Sequence, residues 1–145
     1  MGTKLAVLAG LLLAGCSGAA QDDLDSARHL WTSARPTAYE TVVRRSCYCA
    51  NVDPYRVQVD GAAVTSAVRL SPDGVETPID PADYPSWFTV EGLFTVVQDA
   101  IDQHVDRLET QYDDRLGHPL HIAIDPHAGT SDDETTYEVA RLDAL

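Results

Sequence analysis

Two cysteines separated by one residue, Cys47-Tyr48-Cys49, are the first feature of this 145-residue chain whose type and spacing could do chemistry. In an oxidising compartment an even pair of thiols suggests a bridge. An extended strand sets residues i and i+2 on one face with Cα atoms about 6.5–7 Å apart, the outer limit for a disulfide. A bridge therefore requires a bend at Tyr48, and it closes so small a loop that its entropic contribution is modest. Four readings stay open: a local clip at a strand end, a thiol–disulfide switch, a pair of reduced thiols, or part of a metal site. Two sulfurs alone do not complete a zinc tetrahedron. His104, His118, His121 and His127 stand at no recognised ligand spacing, and the expectation for them is solvent-facing turns. Asp125, Asp132, Asp133 and Glu134 gather carboxylates that suit calcium. Their stretch lacks the alternating oxygens and central glycine of a helix-loop-helix calcium loop, so a solvated acidic turn is expected. Asp113 ahead of Gly117-His118-Pro119 reads as turn chemistry. No serine sits in a nucleophile-elbow context and no phosphate-cradling glycine loop appears, so no catalytic residue and no cofactor are assigned. Trp87-Phe88, closing a proline-rich stretch, is the expected surface pair for a partner.

The third cysteine has a different setting. Lys4 is followed by a nine-residue apolar stretch, Leu5 to Leu13, and then by Ala14-Gly15-Cys16. One cation, a greasy core and small residues at a cut site are the parts of an export signal. Nine helical residues rise only about 14 Å, roughly half the hydrocarbon thickness of a bilayer, which excludes a permanent span. Leu13-Ala14-Gly15-Cys16 resembles the bacterial lipobox, in which the cysteine thiol takes up diacylglycerol and becomes the first residue after cleavage. Two or three acyl chains make such an attachment durable. The expectation is a signal peptide over 1–15, lipid-bearing Cys16 opening a flexible tether over 16–23, and a single domain over 24–145. The expected address is the cell envelope, with Ser17 after the lipid cysteine favouring the outer membrane in a two-membrane organism.

Charge narrows the partners. The formal net charge is −13, and the only lysine lies in the leader. Such a field repels nucleic acid and anionic headgroups, leaving the lipid as the route to the membrane and an envelope protein as the expected partner. The acids are scattered, so no acidic tail is implied.

The elements that must position these residues follow from periodicity. Asp25 or Ser26 caps a short helix through Trp31, ending before Pro36. Tyr39 to Tyr48 reads as a strand. Tyr55, Val57 and Val59, then Val64, Ser66, Val68 and Leu70, alternate around Asp60-Gly61, a hairpin signal. Ser71 to Trp87 carries four prolines and reads as a surface loop. Thr89 caps a helix in which Val90, Leu93, Phe94, Val97, Ile101 and Val105 share one face. Leu108, Thr110 and Tyr112 share a strand face. In the next strand Leu120, Ile122 and Ile124 are expected inward and His121 outward. Tyr137 and Val139 belong to a last strand. The predicted fold is α+β, an antiparallel sheet of about five or six strands with the long amphipathic helix and the short N-terminal helix on one face.

Tyr39 ahead of Arg45-Ser46-Cys47-Tyr48-Cys49, the Leu93-Phe94 helix, Tyr112-Asp113 with Gly117-His118-Pro119, Ile122-Ala123-Ile124-Asp125 and Asp132-Asp133-Glu134 before Tyr137 together resemble a bacterial family, domain of unknown function 6174. Many of its members carry lipoprotein signals, and the resemblance implies no activity. The function expected is a lipid-anchored, non-catalytic binding or envelope-accessory module. The alternatives are a redox protein acting through Cys47 and Cys49 and a divalent-metal-binding lipoprotein.

Overall fold

The computed structural model describes residues 17–145. The export signal and Cys16 lie outside the described residues. An α-helix, α1 (Ser17–Ala34), leads into strands β1 (Ala38–Cys47), β2 (Tyr55–Asp60), β3 (Ala63–Leu70) and β4 (Glu76–Pro78). Helix α2 (Val90–Asp102) then precedes β5 (Arg107–Tyr112), β6 (Pro119–Asp125) and β7 (Thr135–Ala144). The strands form one antiparallel sheet in the order β4-β3-β2-β1-β7-β6-β5. The fold is α+β, as the periodicity predicts, with seven strands rather than five or six. The additional strand is β4, three residues within the stretch read as loop. Proline-rich Ser71 to Trp87 gives no period-two signal, yet Glu76–Pro78 pairs with the edge of β3. Pro78 has no N–H to donate, which suits the outermost strand.

Helix α1 is longer than its sequence signals imply and takes in the segment read as a tether. Gln21 and Gln98 of α2 exchange amide hydrogen bonds, at 3.3 and 2.9 Å. Gln21 also donates to Asp25 one turn on. These long-range partners extend the helix through residues whose composition looks like linker. Leu24, Ala27 and Trp31 turn inward at helical spacing, and Val90, Leu93, Phe94, Val97 and Ala100 do the same from α2. They pack on the inner sheet face, Tyr39, Val43, Val57, Val59, Ala67, Ile122, Tyr137 and Val139. The predicted cap of α2 is present: the Thr89 hydroxyl accepts a 3.0 Å bond from the Gly92 N–H. No helix among the described residues is long and apolar enough to cross a membrane.

Three bulges shape the sheet. The register slips between Val42 and Val43 against β7, between Gln58 and Val59 against β3, and between Gln111 and Tyr112 against β6. The unpaired extra residues are Ala140, Thr65 and Leu120. Each bulge reverses the expected facing of its neighbours. Ala67, rather than Ser66 or Val68, thus joins Val57 in the core, and Leu120 turns outward to 37% exposure while Ile122 is fully buried.

Candidate functional site

The helix-free face of the sheet carries a groove of about 620 Å³, and two of the three bulges line it. Val42 and Arg44 of β1, Glu138 and Ala140 of β7, Leu120 and His121 of β6, Gln111 of β5 and Pro54 line it. The bulge at Leu120 pushes this side chain out of the core, and the one at Ala140 bends β7 beneath it. Arg44 and Glu138 pair across the groove, the Nε–Oε2 contact being 3.1 Å. The floor thus alternates aliphatic patches with one cation, one carboxylate, an amide and an imidazole.

Beside the groove the same face is laced by ion pairs. Arg56 reaches Glu76 at 2.6 Å and Glu40 at 4.0 Å, while Arg141 reaches Glu40 at 2.8 Å and Asp143 at 2.9 Å. The hydrogen bonds from Arg56 hold the Glu76 carboxyl below its usual range. Such exposed pairs contribute little stability each. Their local compensation leaves this face less acidic than the chain's net charge suggests.

The groups whose protonation is most displaced lie elsewhere. Burial pushes Tyr39 up to about 12, and its hydroxyl accepts a 3.2 Å bond from the Val90 N–H at the start of α2. Burial also raises Tyr112 and Tyr137 and lowers His118. His118 is a correction to the expectation of a solvent-facing turn: it is 5% exposed and stands edge-on to Trp31, ring centroids 6.2 Å apart. The turn before it docks on α1, so a Cβ on Gly117 would lie 2.4 Å from the Ala27 carbonyl oxygen. The Asp113 carboxylate accepts the N–H groups of Leu116 and Arg115, which depresses its pKa and bears out the reading as turn chemistry.

Trp87 and Phe88 are not an exposed pair. A short 3-10 turn, Ser86–Phe88, folds them back over the sheet. Phe88 is 2% exposed, with its ring centroid 5.0 Å from Tyr55 and 4.9 Å from Trp87, and Trp87 packs on Tyr137 at 5.8 Å. The turn can tuck inward because Gly92 admits the Ser86 carbonyl, 1.7 Å from where a Cβ would stand. Loop composition does not reveal that contact.

Of the four acidic candidates, Asp125, Asp133 and Glu134 converge, with one carboxylate oxygen each within 4.8 Å of the others. Asp132 is not among them; it takes a positive φ of 74° in the turn. His127 occupies two of these acids, donating its backbone N–H to Asp125 at 3.1 Å and meeting Asp133 through Nδ1 at 3.0 Å. His104 and His121 lie apart from this cluster.

Cys47 and Cys49 stand at disulfide-bonding distance, with Cα atoms 5.2 Å apart. The bend required at Tyr48 is present: the Cys49 N–H donates to the Cys47 carbonyl at 2.8 Å, a three-residue turn. Tyr48, at its apex, is 84% exposed.

The sequence reading did not find the groove. Exposed Leu120 is its visible mark, and nothing in an alternating pattern announces a bulge. No curated protein matches the chain. A family model matches residues 23–144, nearly the whole of the described structure, and the chain belongs to that family, described as a family of unknown function (DUF6174).

Proposed function

We propose that this protein is a lipid-anchored accessory module of the cell envelope, tethered through Cys16, which binds a peptide segment of an envelope protein in the groove on its helix-free sheet face. The groove carries the reading. It is wide enough for side chains, it mixes aliphatic and hydrogen-bonding groups, and bulges in two strands build it. The displaced titrations of Tyr39, Tyr112, Tyr137 and His118 belong to buried packing and not to the groove. The anchor is supported by the leader pattern.

Two arms test the proposal. Detergent phase partitioning of the native protein and of Cys16→Ser reports the anchor: the native protein enters the detergent phase and the variant stays in water. Equal partitioning of both, with the native protein's N-terminal mass showing no acyl chain, removes the lipid. A photo-crosslinking residue in place of Leu120, in whole cells, reports the groove. It is expected to capture a discrete envelope protein, and Ala123→Arg, beside the groove on the same face, serves as a folded control. Capture that persists unchanged when Val42 and Ala140 are both replaced by Glu overturns the groove as the binding surface.

A further inference from the structure

Cys47 and Cys49 form a second site, one that the binding reading does not use. Other contacts hold the chain on both sides of their bond. Cys47 is already held by pairing with Thr135 across the β1–β7 ladder. The Cys49 N–H to Cys47 carbonyl bond sets the bend. Beyond it the Asn51 side chain donates to the Tyr55 hydroxyl at 2.8 Å and accepts the Asp53 N–H at 3.0 Å, pinning the return into β2. The turn is thus held by backbone and side-chain hydrogen bonds alongside the bridge. It is also accessible: Cys49 is exposed, Cys47 half-buried, and a shallow dish of about 350 Å³ is lined by Cys47, Tyr48, Cys49 and Ala50. Exposed small-loop bridges that the fold can spare are the labile class of disulfide.

We propose that the Cys47–Cys49 bridge is a thiol–disulfide exchange site that takes two electrons from an exposed dithiol on a partner protein. The donor's thiolate attacks Sγ of Cys49, the more exposed residue of the two. A donor–Cys49 bond forms, the Cys47–Cys49 bond breaks, and its electron pair leaves on Sγ of Cys47, which takes up the proton the donor released. The donor's second thiolate then attacks its own sulfur in the mixed disulfide, and Cys49 leaves and is protonated in turn. One disulfide has formed in the donor and one has opened here, with two electrons and two protons transferred. The same couple runs the reaction backwards, because the β1–β7 pairing and the turn at Tyr48 hold the two thiols side by side for reclosure.

The test uses the full chain with reduced thioredoxin, then glutathione buffers of graded ratio, followed by acid quench, maleimide labelling and intact mass. The expected result is two added labels under native conditions, reversible with the glutathione ratio, and a melting point lowered by only a few degrees on reduction. Labelling that requires denaturant, or reduction that abolishes the cooperative melt, makes the bridge a structural clip and overturns the proposal. Cys47→Ser is expected to react with oxidised glutathione at Cys49, releasing one reduced glutathione, severalfold faster than Cys49→Ser does at Cys47; because this is the reverse of attack at the same sulfur, the opposite order overturns the assignment of the attacked sulfur. A third label present in both redox states would expose Cys16 as a free thiol. That result removes the lipid anchor and leaves the exchange site standing.

Discussion

Replacing Tyr39 by Phe removes one oxygen atom from the centre of the molecule, and the cost follows from what that atom does. The first N–H groups of an α-helix have no partner within the helix. In α2 the Gly92 N–H finds the Thr89 hydroxyl, the Leu93 N–H finds the Thr89 carbonyl, and the Val90 N–H finds Tyr39. Tyr39 is fully buried and Val90 is 2% exposed, so water cannot replace the lost partner. Leaving a buried donor unpaired costs about 1–3 kcal/mol, and Tyr39→Phe should lower the melting point by about 3–10 °C with no change in far-ultraviolet dichroism. A pH series isolates the oxygen from the packing. Burial holds the native phenol up at about 12 against its ordinary 10.0, so the native state holds its proton more tightly than the unfolded chain. Its stabilisation is intact below pH 10 and is lost as the pH rises from there toward 12, by up to about 1.4 kcal/mol per unit. Urea midpoints measured at pH 8 and pH 11 give the slope for both proteins. The Phe variant should show the shallower decline. Equal slopes, or a loss below about 0.5 kcal/mol at pH 8, would refute the claim that this hydroxyl caps α2.

Gly117→Ala should destabilise by about 2–4 kcal/mol, because Gly117 has a φ of 79° and the new methyl collides with the Ala27 carbonyl. A thermal shift under about 2 °C would show that the turn does not rest on α1. Phe88→Ala should cost about 3–5 kcal/mol and Trp87→Ala less, since Phe88 lies in the core and Trp87 at its margin; chemical denaturation giving the reverse order would contradict the tucked aromatic turn. Burial keeps His118 below its ordinary 6.5, so the unfolded chain takes the proton first as the solution is acidified. Stability is full above pH 6.5 and falls below it, by up to about 1.4 kcal/mol per unit, until the native imidazole titrates. Asp113 adds a loss in the same direction only below its ordinary 3.8. Urea midpoints that stay flat between pH 7.5 and 5 would place His118 in water.

The parts of this fold legible in the sequence are those governed by neighbours along the chain. The Thr89 cap, the Val90–Val97 stripe and the Asp60-Gly61 hairpin are decided within a few residues, and each stands where its pattern puts it. The turn from Asp113 to Pro119 is equally local, since Asp113 receives N–H groups from its own next residues. What the sequence hides is decided across space. The first turns of α1 are composed like a linker and become helix because Gln21 meets Gln98, 77 residues away. Phe88 reads as a surface residue because its loop is polar, and it is buried because Gly92, four residues on, leaves room for the Ser86 carbonyl.

The groove belongs to this second class. An alternating pattern carries one bit per residue, inward or outward, and a bulge inverts that bit for every residue on one side of it. Leu120-His121-Ile122 reads as in, out, in by simple parity. In the structure Leu120 is the unpaired residue of a bulge between Pro119 and His121, so it turns out beside His121 and leaves an aliphatic surface on the solvent side. Ala140 does the same in β7, small enough to leave the groove open beside Val42. The two bulges lie on neighbouring strands, and together they form a concavity where a regular sheet would present a ribbed, charged surface. Deleting Leu120 should restore the parity of β6 without removing any buried side chain. With the photo-crosslinking residue moved to Gln111, the expected product is a folded protein with a flattened outer face that no longer captures the proposed partner. Retained capture by this deletion would mean that the bulges serve the twist of the sheet alone.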